Sequence, residues 1–196
     1  MVPAGRPAVF IDRDGVLNAL VRRPGRGWDS PYRVEEVALL PGAAEGLARL
    51  RKAGYAAVLV SNQPGQAKGF CERADLDAVH AAIADRLSDA GAGLDGTYYC
   101  YHHPDAVLDA LRVACDCRKP RAGLIRQAAG ELGLSMERSY LVGDRAIDLE
   151  AARHAGCASL LVRSAVSPAS QEAVQLGALA IVSDLADAAA VIIGRE

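Results

Sequence analysis

A chain of 196 residues, 51% hydrophobic and 23% charged, is long enough to bury a sizeable core and too apolar to stay disordered. Its formal net charge of −2, without any long block of like charges, excludes a general nucleic-acid binder, which carries a basic stripe. No stretch reaches the ~18 apolar residues of a membrane span, and the first apolar run meets Asp12 too early for a secretory leader, so the expected address is cytoplasmic.

In chain order, AVFID (8–12) is a short apolar run ending on an acid. After a Pro/Gly/Arg-rich segment, Gly42 opens a helical stretch in which Leu47 and Leu50 share a face, and Gly54 closes it. YAAVLVSN (55–62) reads as a buried strand, and Leu76, Val79, Ile83 and Leu87 recur at helical spacing within 73–90. TYYCY (97–101) is strand-like, 102–119 has no clean period, and Pro120 suits the first turn of a helix running to about 133. SYLVGD (139–144) is a strand, and AIDLEAARHAG is a helix closed by Gly156. ASLLV (158–162), a helix near 169–176, ALAIV (178–182) and a helix near 184–193 complete the pattern.

Apolar strands alternating with helices predict an α/β fold: a doubly wound, mainly parallel sheet covered on both faces. No repeat or linker divides the chain, so residues 1–196 are expected to form one domain without a large cap. The irregular segments 18–40 and 102–119 both follow strands, where α/β folds bind their ligands.

Three strands end in polar groups: Asp12 with Asp14, Ser61 with Asn62, and Asp144. Neighbouring parallel strands would bring these to one sheet edge, where Asp12, Asp14 and Asp144 form an oxygen cage suited to Mg²⁺. Gly15 indicates that the chain is already turning at Asp14. A carboxylate is a ready nucleophile at neutral pH, so Asp12 is read as attacking phosphorus. Asp14 is read as protonating the leaving oxygen and then deprotonating water, for which a raised pKa is expected. The Ser61 hydroxyl, the Asn62 amide and the Lys119 ammonium are candidates for the non-bridging oxygens. Taken singly these are ordinary turn and cap residues; their order after three apolar strands points to phosphoryl transfer.

FIDRDGVLN (10–18), VSNQPG (60–65), CRKP (117–120) and VGDRAIDLEAA (142–152) resemble the four motifs of the haloacid dehalogenase superfamily of aspartate-nucleophile phosphatases. The resemblance spans nearly the whole chain, and similar sequences occur in the heptose-bisphosphate and histidinol-phosphate phosphatase branches. It implies Asp12 as nucleophile, Asp14 as acid and base, and Mg²⁺ held by Asp12, the Asp14 backbone carbonyl and Asp144. It implies Ser61, where many relatives have threonine, as a stabiliser of the transferring group, with Asn62 beside it. Arg118 would recognise substrate, Lys119 would steady nucleophile and phosphate, and Asp148 would support the metal ligands from behind. Arg22, Arg23 and Arg26 of the 19–33 loop fall outside the resemblance; each reads first as solvated charge, with phosphate binding as the alternative.

Five cysteines in a reducing compartment favour metal or chemistry over disulfides. Cys71 and Cys157 stand alone and read as buried or incidental thiols. Cys100 and His102, then Cys115 and Cys117 after an interval of twelve residues, supply a tetrahedral Zn²⁺ set. His102 is taken as the ligand over its neighbour His103. Four protein ligands make the metal structural, with the role of aiming Arg118 and Lys119. Relatives with this insertion use the same positions for zinc, and the long His-to-Cys interval resembles the heptose-bisphosphate branch. The expected activity is removal of the 7-phosphate from a small bisphosphorylated sugar, a D-glycero-D-manno-heptose 1,7-bisphosphate. A histidinol-phosphate or other sugar-phosphate phosphatase is one alternative, and a catalytically silent zinc-stabilised binding module another. A monomer is the expected state, with neither nucleic acid nor membrane as partner.

Overall fold

The computed structural model describes residues 5–195. Its main sheet contains β1 (Ala8–Ile11), β4 (Ala56–Asn62), β5 (Gly96–Cys100), β6 (Tyr140–Gly143), β7 (Ala158–Val162) and β8 (Ala178–Val182). The strand order is β5-β4-β1-β6-β7-β8, and every neighbouring pair is parallel. Strand β1 is buried throughout, and β4 and β6 are buried at all but one residue each, so they read as continuous apolar runs and their alternation shows only in which core each residue joins. Val9 and Ile11 face the core made with α1 (Ala43–Lys52), α2 (Arg73–Asp89) and α6 (Leu185–Ile193). Ala8 and Phe10 face the other core, closed by α3 (Gly123–Leu132) and α4 (Ala146–Ala155). A sixth helix, α5 (Ser170–Gln175), adds Ala173 to a small cluster with Leu149 and Leu161. No helix among the described residues is long and apolar enough to cross a membrane.

Two features depart from the sequence expectation. The 18–40 segment folds partly into an antiparallel hairpin, β2 (Val21–Arg23) and β3 (Gly27–Asp29), whose strands are too short to show a period. Pro120 does not begin a helix: α3 starts at Gly123. Before it the chain turns back on itself, with Arg121 N–H donating to Arg118 O at 2.9 Å and Gly123 N–H donating to Asp116 O at 2.9 Å. That turn brings 116–119 against the sheet edge and uses up the residues that would have formed the first helical turn.

Strand β1 lies between β4 and β6, with Ile11 level with Leu59 and Val142. The chain runs outward from β1 through β4 to β5 and then crosses back to β6 on the other side of β1, so the strand order reverses there and a crevice opens at the carboxyl ends of these three strands.

Candidate active site

Asp12 follows β1 directly, and its N–H still donates to Val142 O of β6 at 3.0 Å. The chain then turns at Gly15, whose φ of +88° is a left-handed conformation. A Cβ at Gly15 would stand 2.0 Å from Asp144 Oδ2, so the turn admits only glycine on two grounds.

Three donors converge on Asp12 Oδ1: the Arg13 N–H at 2.7 Å, the Ser61 hydroxyl at 2.6 Å and the Lys119 ammonium at 3.0 Å. Lys119 is 2% exposed, and its Nζ also reaches Asp148 Oδ1 at 2.6 Å and Val60 O at 3.0 Å. Burial alone would lower its pKa, but the charges of Asp12 and Asp148 outweigh that and raise it. The Asn62 side chain clasps the same residue: Nδ2 donates to Lys119 O at 3.0 Å, and Oδ1 accepts from Lys119 N–H at 3.0 Å. Asn62, expected at the phosphate, thus braces the backbone of the cationic loop.

Asp12, Asp144 and Asp148, all buried, place one oxygen each within 4.8 Å of one another. Asp144 Oδ2 accepts from the Ser164 hydroxyl at 2.7 Å, but its Oδ1 is buried without a hydrogen-bond partner, the Arg145 guanidinium being 3.9 Å away. Burial, reinforced by the charges of Asp12 and Asp148, pushes Asp144 up to about 8. An orphaned carboxylate oxygen beside two more carboxylates fits a hard cation. Asp148 closes the cluster, closer to the other two acids than its sequence reading as a rear support implied. A Cβ on Gly143 would lie 2.2 Å from Asp148 Cβ, so that glycine is what lets α4 approach.

Asp14 stands apart from this cluster. Arg13 grips its carboxylate as a fork, Nε to Oδ1 at 3.0 Å and Nη2 to Oδ2 at 2.9 Å. The Ser30 hydroxyl and the Gln63 amide donate to Oδ2 at 2.7 and 2.9 Å. Burial would raise its pKa, yet the Arg13 charge and these hydrogen bonds prevail and hold it below the ordinary value. The expected upward shift is therefore wrong in sign: the sequence shows a carboxylate near a site but not which donors the fold will aim at it. Of those donors, Arg13 and Gln63 lie inside motifs recognised in the sequence; Ser30, like Ser164 at Asp144, had no signal there.

Asp12, Asp14, Ser61, Asn62, Arg118, Lys119 and Arg145 line a polar cleft of about 280 Å³, with Arg26, Trp28, Lys68 and Phe70. A larger apolar hollow of about 450 Å³ lies across Trp28 and contains none of the clustered acids. Arg26 sits over the Phe70 ring at 3.7 Å, at the mouth of the cleft. Arg23 is committed elsewhere, 2.7 Å from Glu36 and 4.5 Å over Tyr32, while Arg22 is exposed. Arg118 Nη1 donates to His102 O at 3.2 Å, tying this cleft to the cysteine cluster.

The sulfurs of Cys100, Cys115 and Cys117 lie 3.1, 3.1 and 3.6 Å apart. His102 Nδ1 lies 3.4 Å from Cys117 Sγ and 3.8 Å from Cys100 Sγ. Zinc bonds of ~2.3 Å in a tetrahedron separate sulfurs by roughly 3.7 Å, whereas a disulfide needs ~2.05 Å, so the spacing suits an ion. His103 turns away, its Nδ1 accepting from Asp105 N–H at 3.1 Å. Burial pushes Cys71 up to about 11 and Cys157 up to about 12, which keeps both as unreactive thiols.

Residues 116–188 match the HAD-hydrolase-like family. Over 183 residues the chain is 37% identical to a D-glycero-beta-D-manno-heptose-1,7-bisphosphate 7-phosphatase of Photorhabdus laumondii, covering 93% of each chain. An enzyme of the same name from Rhodopseudomonas palustris is 40% identical over 151 residues, or 77% of this chain and 80% of that one. The crystal structure of D,D-heptose 1,7-bisphosphate phosphatase from B. bronchiseptica, complexed with magnesium and phosphate, is 31% identical with a TM-score of 0.78. That likeness covers 97% of this chain and 99% of the other.

Proposed function

The chain belongs to the HAD-like hydrolases, and from that premise we propose that it is a Mg²⁺-dependent phosphatase removing the 7-phosphate of D-glycero-D-manno-heptose 1,7-bisphosphate. One observation carries the reading: a carboxylate fixed by three donors on one oxygen, at the end of a central strand, in a cleft lined by cations. The names of the relatives favour the β-anomer.

In this reading Asp12 attacks phosphorus and becomes a phosphoaspartyl group. Its Oδ1 is occupied by Arg13 N–H, Ser61 and Lys119, which leaves Oδ2 as the attacking atom. Ser61 and Lys119 stay beside the transferring oxygens as charge develops there. Asp14 gives a proton to the leaving oxygen and later takes one from water. The donors around Asp14 hold it in the base form; a phosphate dianion entering the cleft opposes the Arg13 field and favours the acid form. Asp12, Asp144 and the Asp14 backbone carbonyl would hold Mg²⁺, with Asp148 pairing Lys119 beside them. When bound, the ion supplies positive charge that offsets the phosphoryl oxygens. Arg118, Arg26 and Lys68 face the rest of the substrate. Cys100, His102, Cys115 and Cys117 would hold a structural Zn²⁺. The same reading takes residues 1–196 as one domain, acting as a cytoplasmic monomer because a single chain supplies every group.

The test is kcat/KM across both anomers of the heptose bisphosphate, histidinol phosphate and other sugar phosphates, with Asp12→Asn as control. The β-anomer is expected to lead the panel, and Asp12→Asn to abolish turnover with unchanged thermal unfolding. Activity surviving in Asp12→Asn would sink the mechanism, and histidinol phosphate leading would overturn the substrate.

A further inference from the structure

His80 lies on α2, outside all four motifs, yet it reaches the acid of the cleft through one residue. Arg13, fully buried, spends Nε and Nη2 on Asp14 and meets His80 Nδ1 with Nη1 at 2.8 Å. A guanidinium only donates, so Nδ1 accepts and the proton of the neutral ring must sit on Nε2. That Nε2 is buried and has no hydrogen-bond partner among the described residues. The ring also stacks on Tyr99 of β5, with centroids 3.7 Å apart and planes 7° from parallel. Phenylalanine would serve for stacking alone and would bury no unpartnered N–H. Burial, with the Arg13 charge, pushes His80 down to about 3, so the ring is neutral and remains an acceptor.

We propose that His80 is a positioning residue for Asp14: its imidazole fixes the Arg13 guanidinium, whose fork sets the Asp14 carboxyl against the leaving oxygen. The proposal rests on the phosphatase reading. In the first step an Asp12 oxygen bonds to phosphorus and the bond to the leaving oxygen breaks. That oxygen keeps the electron pair and takes the Asp14 proton. In the second step water attacks phosphorus, gives its proton to Asp14, and the Asp12–phosphorus bond breaks.

Leaving-group dependence separates this role from a structural one. An alkyl phosphate needs a proton on its leaving oxygen, whereas p-nitrophenyl phosphate expels a stable anion. In His80→Phe, kcat/KM for the best alkyl substrate is expected to fall ~10- to 100-fold, and that for p-nitrophenyl phosphate by under about threefold. His80→Asn, whose Oδ1 can accept from Arg13 as Nδ1 does, is expected to recover most of the alkyl activity. Thermal unfolding of each variant reports folding, and His80→Leu carries the same contrast if His80→Phe does not fold. Equal losses on both esters, no loss on either, or an Asn variant as deficient as Phe would each overturn the proposal. Wild-type protein inactive on every ester would defeat the phosphatase reading itself, which is a different result.

Discussion

Asp12 and Asp14 are two residues apart, and the fold gives them opposite surroundings. Asp12 shares its cluster with two other buried carboxylates, a demand for positive charge that Lys119 answers only in part. Asp14 is surrounded by donors. Gly15, next in the chain, touches the first environment, since a Cβ there would collide with Asp144. Gly15→Ala should therefore strain the backbone by about 1–3 kcal/mol and displace Asp144. The expected result is a melting temperature lower by several degrees and a rise of at least ~10-fold in the Mg²⁺ concentration for half-maximal activity. Magnesium titrations matching wild type would show that Asp144 is not held by this contact. The positions of Asp12, Asp14 and Asp144 were legible in the sequence because Asp12 and Asp144 close apolar runs and Asp14 lies two residues beyond the first. The protonation of Asp14 and Asp144 was not, because it depends on how deeply the fold buries them and on Ser30 and Ser164, which arrive from unrelated loops.

At the scale of elements, the six strands of the main sheet were readable to within a residue or two, being apolar runs between glycines and charges. What the sequence concealed was short or bent: the three-residue strands of the β2–β3 hairpin, and the turn at 116–121 that delays α3. Short-range turn and hairpin hydrogen bonds build both, and no hydrophobic period records them. The cysteine loop was legible as ligand spacing, although its path is irregular. Cys115→Ser should drop zinc content from about one equivalent towards zero and open residues 101–117 to limited proteolysis. Helix content should hold, since the Cys100 end is anchored in β5. A variant retaining a full equivalent of zinc would rule out the four-ligand site.

At the scale of the molecule, three buried acids under one sheet edge couple stability to pH and cations. In the metal-free protein, Asp144 keeps its proton up to about 8, whereas an ordinary carboxyl releases it near 3.8. Between those values the folded state binds more protons than the unfolded one, so stability falls as pH rises through the window. Asp14 acts in the reverse sense: its lowered pKa contributes stability above the ordinary value, lost as pH falls through its folded pKa. A cation taking the place of the Asp144 proton should raise the melting temperature by several degrees more at pH 8 than at pH 5. Differential scanning calorimetry with and without Mg²⁺ at the two pH values reads this directly. Equal shifts at both pH values would dissociate the acid cluster from metal binding.

The clasp between Asn62 and Lys119 has a consequence for how the protein would fail. Arg118 and Lys119 are adjacent but moored differently, one through the cysteine loop and the other by an amide on the strand. Chelation or oxidation loosens the first mooring and leaves the second intact. Damage to the knot should then appear as a weakened grip on substrate, with the rate at saturation largely preserved.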